Sequence, residues 1–413
     1  MAKGGVMSAE RLSNRYQSML VLLLSFNFGV LFFDRNALNF LMQFVKPDLH
    51  LSDTQVGTLS SGLSLTFALT GFLVGRLSDR LGSRKPVIVV AILAFCLCSV
   101  VSGLATSFLM LLGARILMGA AEGGVMPVSH SVIVAEVNDR HRGLAMGVAQ
   151  NLGSNLLGSA AAPLVLVPVA IAFGWRHAFY LAALPGVIGA LLVWLLVREP
   201  PPEMYHAGPE PKATIASAIA NRNVQLCALI SVLLVSYLVC CWAFMPLYLT
   251  ANRGFDANTA KWLMATLGFS AAVGSFSVSA LSDRVGRKPV IVGFSALGVI
   301  LPLGAMYFMG SPWVLAVIFF VGWGLVGVFP VFMATVPSES VDPRLTASLA
   351  GITIGVGDGV GGVLSPYFAG RLSDHFHERS AVLWLMLSMT VLAAVVAMGL
   401  RETAPRVLER RAV

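Results

Sequence analysis

Apolar residues along this chain come in long unbroken blocks separated by short polar breaks. The blocks fall near residues 17–44, 54–76, 86–106, 108–136, 144–173 and 178–198. They resume near 223–250, 258–280, 289–309, 313–337, 346–370 and 380–400. Each reaches the roughly 20 residues a helix needs to cross a bilayer. Lone strands facing lipid leave backbone groups unsatisfied, so every block predicts a helix. The expected fold is all-α, a polytopic membrane protein of twelve transmembrane helices. Between the sixth and seventh blocks lies a polar, Pro-rich stretch, REPPPEMYHAGPEPKATIAS. It divides the chain into an N-terminal six-helix bundle (1–198), a linker (199–221) and a C-terminal six-helix bundle with its tail (222–413).

Composition agrees with this pattern. Of 413 residues, 57% are hydrophobic and 12% charged, against about 25% charged in soluble domains. Neither a soluble enzyme nor a disordered chain has this profile. The net charge of +8 is no nucleic-acid footprint, because Lys and Arg lie in short clusters between apolar blocks. With both termini cytoplasmic, twenty of them face inward and six outward (Lys46, Arg176, Arg253, Lys261, Arg371, Arg379). That bias sets the orientation in a cell inner membrane. The first block is long and lacks a small-residue cleavage site, so it predicts a span rather than a signal peptide. Cys96, Cys98, Cys227, Cys240 and Cys241 lie in or beside apolar blocks, which argues against disulfides and metal sites. No nucleophile–base set appears either, so no enzyme and no cofactor are expected.

The two halves repeat. LSDRLGSRKPVIV begins at Leu77 and LSDRVGRKPVIV at Leu281, with Asp79 and Asp283 lying 204 positions apart. Paired six-helix halves are a transporter architecture, with the site between them at mid-membrane. The pattern Gly75, Asp79, Arg80, Gly82, Arg84, Lys85 resembles the loop 2–3 signature of the major facilitator superfamily. Asp283, Arg284, Arg287 and Lys288 are similar to its loop 8–9 echo, with Ser279 in place of the leading Gly. The resemblance implies two bundles that rock to give alternating access. Independently of it, a carboxylate among several Arg side chains at a helix end can form charge-assisted bonds that latch the halves in one state.

Ionisable residues at membrane depth cost ~2.5–3.5 kcal/mol each and are functional by default. Asp34 and Arg35 are adjacent in the first block, so they face different ways, with Asn39 one turn beyond Arg35. Arg115 and Glu122 lie two turns apart on one face of the fourth block, among Gly119, Ala120, Ala121, Gly123 and Gly124. Asp358 sits in the glycine-rich run GVGDGVGG of the eleventh block. His130 reads as a polar residue at the outer end of its span. Gln150, Asn151 and Asn155 place polar groups toward a cavity. Tyr237, Trp242 and Tyr248 offer one aromatic wall.

The run DRNALNF, with R-x6-E later, looks like the anion:cation symporter branch of that superfamily, which moves organic acids with protons. The resemblance implies Asp34 and Glu122 as proton carriers, Arg35 as the group that binds the substrate carboxylate, and Arg115 as partner of Asp34. Making or breaking that pair would switch proton affinity with conformation. The remaining substrate contacts are then Asn39, Gln150, Asn151, Tyr237, Trp242 and Asp358. The spinster-like lipid-transporter branch shares these positions, and LHLSDTQVGTLSSG is similar to it at least as well. The implied partners are a small anionic substrate and the lipid bilayer, with a monomeric chain and the proton as coupling ion.

Overall fold

The computed structural model describes residues 14–81, 83–138, 145–199, 220–341 and 346–412, the side chains of 72, 75–81, 346–350 and 410–412 excepted. Among the described residues every apolar block is helical and there is no strand. In chain order the long helices are α1 (Asn14–Asp48), α2 (Asp53–Leu81), α3 (Lys85–Gly103), α4 (Phe108–Glu136), α5 (Ala145–Phe173) and α6 (Trp175–Leu196). The second set is α7 (Arg222–Asn252), α8 (Ala257–Val285), α9 (Arg287–Tyr307), α10 (Pro312–Ser340), α11 (346–376) and α12 (Ser380–Met398). Ten are apolar enough to read as spans by composition. The other two, α2 and α11, are as long but richer in Ser, Thr, Gly and charge, because they line the seam between the halves rather than lipid.

Chain direction alternates, so both described ends lie on one face, here called the termini face, opposite the distal face. The larger apolar cluster fills the second half and crosses into the first through Phe33, Ala37, Phe40, Leu41 and Val45 of α1 and Ala162, Leu166 and Val167 of α5. These positions are distal. A second cluster, built on Leu20, Leu24, Phe28, Ile88, Ile92 and Val132, is confined to the first half and lies toward the termini. The halves are therefore fused by packing on the distal side and hold separate cores on the termini side.

Two glycines make the seam possible. A Cβ on Gly57 of α2 would overlap the Pro366 carbonyl of α11, and one on Gly268 of α8 would overlap the backbone of Ala160 in α5. Small residues let helices approach closely where no hydrophobic force acts between them. Distal polar groups complete the closure. Asp374 of α11 accepts from the backbone N–H of Asp53 (3.0 Å) and Thr54 (2.7 Å) and from the Thr54 hydroxyl. It thereby caps the start of α2 from the other half. Asp53 in turn accepts from Ser373 (2.7 Å), pairs with Arg379 at 3.2 Å, and bonds Lys46. The structure is closed distally.

Helix starts on the termini face share one device. Glu199 accepts from the backbone N–H of Arg84 (2.5 Å) and Lys85 (2.8 Å) at the start of α3. Glu402 does the same for Arg287 (2.8 Å) and Lys288 (3.1 Å) at the start of α9. A carboxylate there meets the positive end of the helix dipole.

Candidate functional site: a central cavity between the halves

A cavity of about 390 Å³ lies at mid-membrane between the halves. From the first half it is lined by Arg35, Asn36 and Asn39 of α1, Ser60, Ser64 and Phe67 of α2, Arg115 of α4, and Gln150, Asn151, Ser154, Asn155 and Ser159 of α5. From the second half come Leu238, Val239 and Trp242 of α7, Ala271 and Ser275 of α8, Trp323, Val326, Phe329 and Met333 of α10, and Ile354 and Asp358 of α11. Several of these sit on widened π-turns, at Val148–Leu152, Ser154–Ala161, Val331–Thr335 and Gly357–Gly362. Such turns gather at functional sites, where they re-aim side chains.

The charges at membrane depth form one connected group. The Arg35 Nε lies 3.8 Å from Glu122 Oε2. Its guanidinium stacks on the Phe67 ring at 4.3 Å and approaches Phe32 at 5.8 Å. The Arg35 side chain is 19% exposed, whereas Glu122 is wholly buried. Neither Glu122 oxygen accepts a hydrogen bond. Asp34, also wholly buried, accepts from the Ser99 hydroxyl of α3 through Oδ1, and its Oδ2 has no partner.

Arg115 corrects an expectation. Its Nη2 donates to the Arg35 carbonyl at 2.8 Å and its Nη1 points to the Met118 sulfur at 3.2 Å, while Nε is unpaired. It makes no ion pair with Asp34, which bonds Ser99 instead. The pairing present is Arg35 with Glu122, across α1 and α4. The reason is geometric. Asp34 points back into the first half toward α3, and Arg35 points forward into the cavity.

The remaining expected residues divide. Asn39 donates to Asn36 Oδ1 at 3.3 Å, and Asn36 donates to the Gly158 carbonyl at 3.1 Å. Gln150, Asn151 and Trp242 line the cavity, and Asn155 donates to Ser275 at 3.3 Å across the halves. Asp358 lines the cavity, and no described group donates to it. Tyr237 does not line it: fully buried, it donates to the Gly298 carbonyl at 3.0 Å and packs behind Trp323. It has become packing because the five-residue step from Tyr237 to Trp242 along α7 leaves the two side chains about 140° apart around the helix. Tyr248 also lies outside the lining. His130 is not at the distal end. α4 runs toward the termini face, where the ring meets Phe28 at 5.7 Å.

In the motif at the termini face, the side chains of Gly75, Asp79 and Arg80, and all of Gly82, lie outside the described residues. Arg84 is buried. In the second copy Arg287 binds Asp283 (2.5 Å), Glu339 (2.9 Å) and Ser282 (2.6 Å), while Arg284 is exposed. These bonds tie α8, α9 and α10 within one half. The inter-half bonds seen here are distal, plus Asn155–Ser275 at mid-depth.

Sequence reasoning missed two groups. Glu199 and Glu402 follow Arg198 and Arg401, and their spacing of 203 equals that of Arg84 and Arg287. The distal cluster carries a signal as well: Gly370-Arg-Leu-Ser-Asp374 repeats Gly75-Arg-Leu-Ser-Asp79. Among the described residues no group of three or more His, Cys, Asp or Glu is placed to hold a metal.

Comparison with known proteins gives a consistent picture. The probable 4-methylmuconolactone transporter of Cupriavidus pinatubonensis is 29% identical over 382 residues, covering 90% of this chain and 87% of that protein. The hexuronate transporter of Bacillus subtilis is 29% identical over 286 residues, covering 66% and 67%. A bacterial homolog of the human lysosomal transporter Spinster, in an inward-facing and occupied conformation, superposes with a TM-score of 0.77 at 21% identity. The match covers 94% of this chain and 96% of that one. The nucleoside transporter NupG gives 0.73 at 15%, covering 92% and 97%. At these identities the structures speak to fold alone. The profile of the Major Facilitator Superfamily matches residues 24–244 and 226–412. With twelve helices, a cavity between its halves and relatives named as transporters, the chain belongs to the Major Facilitator Superfamily and is a membrane transporter, not an enzyme.

Proposed function

We propose that the chain is a proton-coupled symporter of a small organic anion, working by alternating access between an N-terminal bundle (1–198) and a C-terminal bundle (222–413). The observation that carries this is Arg35: a guanidinium open to the cavity whose counter-ion, Glu122, is buried and accepts no hydrogen bond. A planar guanidinium matches a carboxylate through two parallel bonds. An incoming carboxylate competes with Glu122 for it. Once Arg35 turns to the substrate, Glu122 is a buried anion without a partner, a costly state. Protonation relieves that cost, so anion and proton load together. Asp34, half-satisfied by Ser99, is the second proton site.

In this reading both termini are cytoplasmic in an inner membrane, consistent with the Lys and Arg count, and the distally closed structure is inward-facing. Relatives named for 4-methylmuconolactone and hexuronate support an organic acid as cargo. The cavity volume favours this over a lysolipid. About 390 Å³ lies at the small end of the ~300–1,000 Å³ range of small-molecule sites, which suits one small acid. The test is uptake of labelled carboxylic acids into proteoliposomes under an imposed inward proton gradient. Empty liposomes give the baseline for passive entry of weak acids. Accumulation should rise on external acidification and collapse with a protonophore. Protein-dependent uptake indifferent to the gradient overturns the coupling.

A further inference from the structure

The two walls of the cavity differ in chemistry. The first-half wall presents amides and hydroxyls beside Arg35 and Arg115. The second-half wall presents Leu238, Val239, Trp242, Trp323, Phe329 and Met333. Trp242 and Trp323 meet edge to face, with ring centroids 5.3 Å apart, and Phe40 abuts Trp242 at 5.7 Å. Trp323 is wholly buried, its indole N–H unpartnered, and it backs Trp242, so Trp242 and Phe329 present the rigid ring surface. The polar groups on that wall are few. The Ser275 hydroxyl is taken by the Ala271 carbonyl at 2.7 Å and by Asn155. Asp358 is an acid facing the cavity.

Resting on the reading of Arg35 as a carboxylate anchor, we propose that the cargo is a ring-bearing monocarboxylate whose ring lies on the Trp242–Phe329 wall. A flat apolar ring covers this surface without stranding any polar group, and aromatic stacking adds to the burial. A polyhydroxylated acid presents hydroxyls on every side. Asp358 can accept from one of them, but those turned to Trp242 and Phe329 lose water and find no partner, and each such loss lowers affinity about tenfold. Charge limits the cargo to one carboxylate. Arg115 is already committed to the Arg35 carbonyl, so Arg35 is the cation offered to the cavity. A second carboxylate would meet Asp358 rather than a cation, and like charges in a low-dielectric cavity repel strongly.

The test is calorimetric titration of the purified full-length protein in detergent with five probes: benzoate, 2-naphthoate, gluconate, phthalate and 2-naphthalenemethanol. The expected order has the better ring acid at least about tenfold tighter than gluconate, and benzoate tighter than phthalate by a similar factor. Gluconate binding as tightly as the ring acids, or phthalate as tightly as benzoate, overturns the proposal. The underlying carboxylate reading fails in a different way: the neutral alcohol would match 2-naphthoate, or no acid would bind. Two variants then locate the wall. Trp242→Leu and Phe329→Ser should each shrink the ratio of ring-acid to gluconate affinity several-fold, with gluconate binding little changed. Trp242→Leu keeps apolar bulk, so folding is preserved if Phe329→Ser proves unstable. An unchanged ratio in both variants overturns the assignment of the ring to this wall.

Discussion

At the repeat offset of 204, α1 and α7 end together at Asp48 and Asn252, and α4 and α10 begin together at Phe108 and Pro312. The backbones match, yet the membrane-depth charges do not. Asp34, Arg35, Arg115 and Glu122 fall opposite Leu238, Val239, Phe319 and Val326. Three of those four counterparts, Leu238, Val239 and Val326, line the same cavity. Two-fold symmetry thus belongs to the backbone, while these four membrane-depth charges belong to one half. The division makes physical sense. On the function proposed above, a cargo anchored by charge on one wall and resting on an apolar surface opposite lets the second half move past it without breaking hydrogen bonds at each turnover. Asp358, opposite Ser154 in the repeat, is the one acid that the second half contributes to the cavity lining among the described residues.

The comparison breaks most sharply at Arg35. Arg35→Lys keeps the charge but loses the planar fork. Losing one charge-assisted hydrogen bond of that fork costs ~1.5–3 kcal/mol, so anion affinity should fall by about tenfold or more in calorimetry while the protein still folds. Wild-type affinity in this variant would remove the anchor. Glu122→Gln comes next. It mimics the protonated acid, so equal-pH counterflow should persist while gradient-driven accumulation is lost. Full uphill transport by Glu122→Gln would exclude it as an essential carrier.

What the sequence showed and what it hid follows from the range of the forces involved. The spans, their number and the repeat are legible because apolar length and local motifs are properties of contiguous residues. Arg35 and Glu122 are legible as costly groups for the same reason. Their pairing was not, because adjacent Asp34 and Arg35 differ by one residue's turn of the helix, which decides which faces α3 and which faces the cavity. A single hydroxyl, Ser99, redirected the expected Asp34–Arg115 pair, and nothing in its surroundings in the sequence marks it. Tyr237 and Trp242 share aromatic character but not a face. The distal closure was hidden for a further reason: Asp53 and Asp374 are 321 positions apart, so the repeat of Gly75–Asp79 at Gly370–Asp374 marks the acid but not the helix it caps.

The asymmetry also predicts an energetic difference between matched positions. Leu238→Asp places an acid in the second half where the first half has Asp34, but without a counterpart of Ser99 beside it. The cost should approach the lower end of the ~2.5–3.5 kcal/mol insertion penalty, because the cavity admits some water. Thermal unfolding in lipid nanodiscs should show a clear drop in Tm, with Leu238→Asn dropping less. No drop for Leu238→Asp would mean that the second wall is as polar as the first.

The smallest effect concerns the two faces rather than the two halves. The distal closure depends on Asp374 capping α2 through the Asp53 and Thr54 amides and the Thr54 hydroxyl. Asp374→Asn keeps one acceptor oxygen in place but removes the charge that favours a helix N-terminus. Loss of a capping interaction costs ~1 kcal/mol, and this bond exists only while the distal side is closed. The penalty therefore falls on one state, and it shifts the inward-to-outward balance about fivefold toward the open distal face. The readout is labelling of a Val56→Cys reporter, buried while the distal side is closed and two residues beyond the capped amide of Thr54, by a membrane-impermeant maleimide. All five native cysteines are buried, so background labelling is low. The reporter should label several-fold faster in the Asp374→Asn background, and Arg379→Gln, which loosens Asp53 instead, should add to it. Equal labelling rates with and without Asp374→Asn would show that apolar packing between α2 and α11 alone holds the distal side shut.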